Sequence, residues 1–251
     1  MLENILVRIV LLLIGGFIPA LIYLVVLRNT EKFSREPWRM VLGVFSRGAT
    51  LSIFIAIIFE LILYFIYKVQ IERIYIFLSE HPDLDALILA CVIAPFVEEL
   101  AKLYSVTKAK HQIDELEDGL IYGASAGLGF AAMENVLYEL NFVFTGNLES
   151  FTILVFVRSI SSTLLHASAS GIAGYGLGCL YLRRTYGKAI LCVLCAMGLH
   201  GLFNLCASIS IIFGDIWYSS IIGFVFATAI AIVAFGYVRE KTRTLDRQGM
   251  Y

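Results

Sequence analysis

The sequence predicts an all-α, polytopic transmembrane helical bundle, and three observations carry that prediction. The chain is 59% hydrophobic, with a mean hydropathy of +0.84. Charged residues make up only 16%, well under the roughly 25% of an ordinary soluble domain, too few to cover a water-facing surface. Seven apolar stretches are also long enough to cross a hydrocarbon core about 30 Å thick, which takes about 20 residues of helix.

The first stretch, at about 5–27, has only Arg8 as its basic flank and runs on past Ala20 to Leu27. It therefore reads as a first transmembrane helix or signal anchor rather than a cleaved leader. The others fall at about 49–67, 84–107, 119–144, 152–182, 189–213 and 218–238. Basic residues sort by side of the membrane. Arg28, Lys32, Arg35, Arg39 and Arg47 share the first loop, at 28–48. Lys108 and Lys110, then Arg183, Arg184 and Lys188, then Arg239, Lys241, Arg243 and Arg247 fall on that same side, against Lys68 and Arg73 on the other. The excess places the N-terminus outside and the C-terminus in the cytosol. Residues 1–251 then form a single integral-membrane domain of a multi-pass protein of the cell membrane, with its polar core at about 84–213. A net charge of −1 offers no footprint for nucleic acid. The five cysteines all lie in apolar stretches, which argues against a disulfide framework. Cys192 and Cys195 read as small packing residues, because no second pair accompanies their CxxC.

The informative residues are those that break the membrane rule. An ionisable side chain at bilayer depth costs about 2.5–3.5 kcal/mol on insertion scales and is kept only where it faces protein or water. Glu98, Glu99, Lys102, Glu134, Arg158, His166 and His200 all lie within predicted spans. Glu98 and Lys102 are four apart, one helical face, in the favourable acid-before-base order. Phe130 lies four before Glu134, which is followed by Asn135. Arg158, Ser162, His166 and Ser170 recur at four-residue steps and share a stripe. His200 and Asn204 repeat that spacing on the next span. At about 1.5 Å per residue the glutamates and histidines fall within a turn or two of mid-depth, so a single buried polar site is geometrically feasible. Gly123 and Gly127 on one span, and Gly171, Gly174 and Gly178 on another, allow close helix packing.

Carboxylates, imidazoles and an amide together supply a base for water, an acid for a leaving amine and donors for an oxyanion. Buried Glu and His also build the proton relays of carriers, and small-residue faces suit a membrane scaffold. These three readings stay open on the residues alone. Glu98 with His166 and His200 is also a ligand set with which zinc keeps an open position, although the HExxH spacing of zincins is missing.

The order and spacing of these residues resemble one family. Glu98-Glu99-x-x-Lys102, Asp118-Gly119 through Gly127-Leu128-Gly129-Phe130 to Glu134-Asn135, His166, and His200-x-x-x-Asn204 look like the PrsW family of membrane proteases. Glu36-Pro37-Trp38 is similar to an acidic-proline element of that family. The family is related to the CAAX prenyl endopeptidase and bacteriocin-processing superfamily of glutamate-type intramembrane proteases. The resemblance implies an endopeptidase that cuts membrane-anchored proteins, an anti-sigma factor being the implied partner, in a bacterial plasma membrane. It implies Glu98 as leading base with Glu99 in support, and His166, His200 and Asn204 completing the catalytic set. Lys102, Glu134, Asn135 and Phe130 are supporting residues. The expected chemistry needs no cofactor; zinc held by Glu98, His166 and His200 is the alternative. Where CAAX endopeptidases carry Phe-x-x-x-His, this chain carries Phe130-x-x-x-Glu134, which places it on the PrsW branch.

Overall fold

The computed structural model of the chain describes residues 5–72, 80–145, 147–214 and 216–248. Among them every regular element is helical and no strand occurs. In chain order these are α1 (Ile5–Arg28), α2 (Trp38–Arg47), α3 (Ile53–Ile66), α4 (Pro82–Ile88), α5 (Ala94–Val106) and α6 (Leu116–Thr145). α7 (Leu148–Ile160), α8 (Ser162–Arg183), α9 (Tyr186–Ala207), the short α10 (Ile209–Phe213) and α11 (Trp217–Gln248) follow. Wider π-helical stretches, Gly48–Ser52 and Leu89–Ile93, join α2 to α3 and α4 to α5.

Six helical rods among the described residues are long and apolar enough to cross a membrane: Ile5–Arg28, Trp38–Gln70, Leu116–Thr145, Leu148–Arg183, Tyr186–Ala207 and Tyr218–Gln248. The remaining predicted span is the α4–α5 rod, which is apolar but carries three charged side chains, Glu98, Glu99 and Lys102. Two boundaries differ from the sequence expectation. Half of the predicted 28–48 loop is helical, because α2 is amphipathic: Val41, Val44 and Phe45 are buried while Arg39 and Arg47 face outward. The single helix predicted at 152–182 is two, separated at Ser161, whose backbone (φ −121°, ψ −80°) leaves the helical region. Arg73 lies outside the described residues.

α6 is the axis of the bundle. Of its apolar window 78% is buried, against 17–39% for the other five rods, so α6 must be touched on all sides. It runs along α8 and α1, and glycine permits the approach to α8. A Cβ at Gly127 would sit 2.1 Å from the His166 carbonyl oxygen, and one at Gly174 2.1 Å from that of Gly119. The backbones therefore meet where side chains would ordinarily stand, as small-residue interfaces allow in lipid. This contact sets the height of His166 relative to α6.

The four basic segments converge on one end of the bundle. Asp246 near the end of α11 accepts the backbone N–H groups of Lys32 and Phe33 at 2.9 and 3.2 Å. Lys108 packs over Gly43, and the Lys110 ammonium lies 5.5 Å from the Tyr181 ring centre. The same end buries a knot of acids. Glu31 accepts the Glu36 N–H through Oε2 at 3.2 Å, while its Oε1 is buried without a hydrogen-bond partner. The Tyr122 hydroxyl donates to Glu36. Burial pushes the Glu31 carboxyl up to about 8, and the nearby Asp118, Asp246 and Glu117 reinforce it. Burial raises Glu36 as well.

Two outcomes follow from this architecture. Gly127→Val should destabilise the bundle by about 1–3 kcal/mol through overpacking, read as a lowered Tm in detergent. The second concerns pH. The folded chain keeps a proton on Glu31 that the unfolded chain releases above its ordinary pKa of 4.5. Stability should therefore fall as pH rises from about 4.5 towards 8. Glu31→Gln keeps an oxygen for the Glu36 N–H and should flatten that slope, raising Tm at pH 8 by roughly 2–4 °C. A thermal-shift series over pH checks it; an unchanged slope would remove Glu31 as its source.

Candidate active site

Four helices deliver the polar cluster. α5 contributes Glu98, Glu99 and Lys102, α6 contributes Phe130, Glu134 and Asn135, and α8 and α9 contribute one imidazole each. Lys102 is completely buried, so its ammonium must find its partners inside the protein. It donates to Glu98 Oε2 at 3.0 Å and to Glu99 Oε1 at 2.9 Å. The i+3 and i+4 spacings let one lysine serve both carboxylates. Its Nζ also lies 2.8 Å from His166 Nδ1 and 4.1 Å from the centre of the Phe130 ring, a cation–π contact.

These bonds fix both imidazoles. An ammonium has only donors, so His166 Nδ1 accepts from Lys102, and the N–H lies on Nε2, which meets Glu134 Oε2 at 2.8 Å. A carboxylate has only acceptors, so His200 Nδ1 carries the hydrogen it gives Glu99 Oε1 at 3.0 Å. Its Nε2 is left as a lone pair. Both unprotonated nitrogens, that of His166 occupied by Lys102, lie near the same atom: Glu98 Oε2 is 4.0 Å from His166 Nδ1 and 3.9 Å from His200 Nε2. The rings meet edge-on, with centres 4.9 Å apart.

A second layer of bonds holds the orienting carboxylates. Glu99, fully buried, accepts from Ser170 through Oε2 at 2.9 Å. Glu134 accepts from Arg158 at 2.6 Å. Arg158 also donates to Asn135 Oδ1 at 2.6 Å and to Ser162 at 3.1 Å, and Asn135 donates to Thr163 at 3.1 Å. The break at Ser161 lies between Arg158 and Ser162, so the guanidinium bridges the two helix ends.

The structure thus gathers Glu98, Glu99, Lys102, Phe130, Glu134, His166 and His200 into one site, with Asn135 in its supporting layer. Asn204 lies one turn further along α9 from His200. Its amide donates to the Ala90 carbonyl at 2.7 Å, tying α9 to the π-helical stretch ahead of α5. One residue was missed from sequence: Glu60, midway along α3. The charges that act on it are those of Glu98, Glu134 and Lys102. A carboxylate inside the apolar run FIAIIFELILYFI was the available signal.

Glu98, His166 and His200 each offer a ligand atom, all within 4.8 Å of one another. The donor set fits a divalent metal such as zinc, for which mixed imidazole and carboxylate ligands are ordinary. The surrounding bonds fit too, since metal-ligating histidines usually give their other N–H to a carboxylate or carbonyl. Glu134 and Glu99 take those two positions.

The chain is also similar in sequence to known proteins. Over 196 residues the chain is 27% identical to Protease PrsW of Clostridioides difficile, covering 75% of this chain and 76% of that protein. Protease PrsW of Oceanobacillus iheyensis is 26% identical over 195 residues, covering 77% and 81% of the two chains. Protease PrsW of Bacillus subtilis is 28% identical over 168 residues, covering 65% and 66%. No solved structure matches the chain. Residues 36–235 match the family described as PrsW family intramembrane metalloprotease. That match contains every residue of the cluster, and the chain belongs to the PrsW family of bacterial multi-pass membrane proteases.

Proposed function

We propose that the chain hydrolyses peptide bonds of membrane-anchored proteins at the Glu98–His166–His200 cluster, and that this cluster holds a divalent metal of the zinc class. One observation carries the proposal. Two imidazole acceptor nitrogens and one carboxylate oxygen converge, each imidazole is fixed in its tautomer by a second carboxylate, and the Lys102 ammonium now sits where a metal would take its place on His166 Nδ1 and Glu98 Oε2. A metal held there would polarise the scissile carbonyl and acidify a water. The chain's own residues do the rest. Glu134 and Glu99 hold the rings in register through Nε2–H and Nδ1–H. Displaced from His166 Nδ1 and Glu98 by the metal, Lys102 would keep its bond to Glu99 and bring free N–H donors and positive charge to where negative charge gathers on the attacked carbonyl oxygen. The residues around the cluster exclude bulk water and strengthen each of these interactions.

The metal-free reading also has an observation behind it. The Lys102 ammonium already lies among Glu98, Glu99 and His166, giving the cluster a cation of its own. In that reading Glu98 takes the proton from water and returns it to the leaving amine. The substrate class we assign is a membrane-anchored regulatory protein, an anti-sigma factor being the one implied by the family resemblance. We also take the basic end of the bundle to face the cytosol, from the excess of Lys and Arg there.

Both readings predict that Glu98→Gln removes cleavage by about 100-fold or more while the protein still inserts. This can be read by comparing membrane-protein N-termini in cells carrying wild type or variant at equal abundance. Termini seen only with wild type would name the substrate, and identical profiles under several envelope stresses would sink the proteolytic reading. Metal analysis separates the two mechanisms. The zinc proposal expects about one zinc per purified chain, lost in His166→Ala and in His200→Ala. Cleavage that persists in zinc-free protein would favour glutamate chemistry alone.

A further inference from the structure

A cleft opens at the basic end of the bundle, between α8, α9 and α11. It holds about 380 Å³ and reaches inward to the buried Leu120 of α6. Its walls are apolar, built from Ile172, Leu191, Cys192 and Cys195. Two cations line it as well, Lys188 and Lys241. Lys188 stands in the first turn of α9, roughly 18 Å along that helix from His200. Lys241 follows the apolar stretch of α11, which ends at Val238. Both lysines therefore mark the level at which the apolar rods give way to polar surroundings.

A lysine at such a boundary ordinarily lays its stem on apolar surface and extends its ammonium into water. Here both fold over one ring. Lys188 Nζ lies 5.0 Å and Lys241 Nζ 5.7 Å from the centre of Tyr175 on α8, and Lys188 donates to the Tyr175 hydroxyl at 3.0 Å. Among the described residues neither lysine is in an ion pair, and no acidic side chain lines the cleft. Two like charges drawn to one ring repel each other. The Tyr175 oxygen accepts from Lys188, so its own hydrogen is left for another acceptor, and Tyr237 brings a second hydroxyl. The cleft thus presents positive charge and donors without a carboxylate to meet them. One turn further along α9 and α11, Leu194 and Val233 are exposed apolar side chains.

We propose that this cleft binds one anionic phospholipid, with its phosphate between Lys188 and Lys241 and its acyl chains along Leu191, Leu194 and Val233. Charge complementarity selects the occupant. The phosphate separates the two ammonium groups and accepts from them and from the Tyr175 hydroxyl, as basic pockets between transmembrane helices accept acidic headgroups. The apolar walls beneath suit hydrocarbon. Free phosphate would meet the cations and leave those walls bare. A zwitterionic lipid would cover the walls but carry its own cation towards two others. The bound phosphate joins α9 to α11 across Tyr175 of α8, and so braces the two helices that carry His200 and His166. The site stands apart from the Glu98 cluster and holds whatever reaction that cluster performs.

The test melts the delipidated full-length chain in a neutral detergent against added lipid. We expect saturating dioleoyl phosphatidylglycerol to raise Tm by about 5–10 °C, and neither phosphatidylcholine with the same chains nor inorganic phosphate to match it. The double variant Lys188→Gln/Lys241→Gln should lose the shift, and Lys188→Arg/Lys241→Arg should keep it. Lys32→Gln/Arg247→Gln removes the same charge from the same end outside the cleft and should also keep it. Native mass spectrometry reads binding directly, whatever a variant does to folding: the wild-type chain should retain one phosphatidylglycerol and the glutamine pair none. An equal shift with phosphatidylcholine would make the cleft merely apolar, and an equal shift with phosphate would make it an ion site without a lipid. A shift that survives in the glutamine pair, or one lost equally in the control pair, would place the effect elsewhere on the surface. Each of these outcomes, or a wild-type chain that retains no phosphatidylglycerol, would overturn the proposal.

Discussion

The architecture of the site depends on one buried charge, the Lys102 ammonium. It has no exposure at all, and a cation at that depth is tolerated only when fully partnered. Glu98 and Glu99 meet that requirement from its own helix. Two acids against one lysine leave surplus negative charge, and Glu99 draws in further donors. Glu99 takes His200 and Ser170; the imidazole of His166, against Lys102, takes Glu134, and Glu134 takes Arg158. The cluster is the bundle's answer to a single desolvation problem. Removing one member of such a buried network typically costs about 3–5 kcal/mol because its partner is left uncompensated. Stability and chemistry are therefore bound together here, and any variant of this set needs its folding measured beside its activity.

The backbone supplies the precision that the network needs. The carbonyl of His166 would lie 2.1 Å from a Cβ at Gly127, so the imidazole is carried on a helix pressed against α6. Glu134, two turns further along α6, is held at the matching height for His166 Nε2. A larger residue at Gly127 would push α8 outward and lengthen the bond to Glu134. The metal-binding and metal-free readings both require that bond, since in both it is what turns Nδ1 of His166 towards Glu98.

Much of this site was legible because hydrocarbon punishes stray charge. Glu98, Glu99, Lys102, Glu134, Arg158, His166 and His200 were conspicuous in apolar spans, and the structure brings them together. Periodicity placed residues on faces but not among neighbours. Asn204 shares a face with His200, yet it bonds to Ala90, since a turn of helix carries it from the carboxylates to the π-helical stretch. Glu60 was overlooked because it belongs to no motif; its meaning comes only from the apposition of α3 to α5. The α2 helix was hidden within a basic loop, because its arginines set the charge count while Val41, Val44 and Phe45 set its fold. The break at Ser161 contains neither proline nor glycine, and its one signal was the serine run Ser159, Ser161 and Ser162, of which Ser159 and Ser161 bond back to the carbonyls of Val155 and Val157.

The irregular backbone lies where a protease acting in the membrane would use it. At bilayer depth, departures from the regular helix are tolerated when they are buried in protein or line a cavity. The π-helical stretch Leu89–Ile93 borders a groove beside Glu60, and Asn204 satisfies one of its carbonyls. The break at Ser161 is spanned by Arg158, which joins Ser162 to Glu134. Both irregularities are thus pinned by side chains, and both lie within one or two turns of the cluster. A continuous α4–α5 helix would turn Glu98 and Lys102 by part of a turn relative to Ala86 and Ala90. The wider π-helical turn therefore sets the phase at which the two carboxylates of α5 meet α8 and α9, and the placing of the site is a property of the backbone before it is one of any side chain.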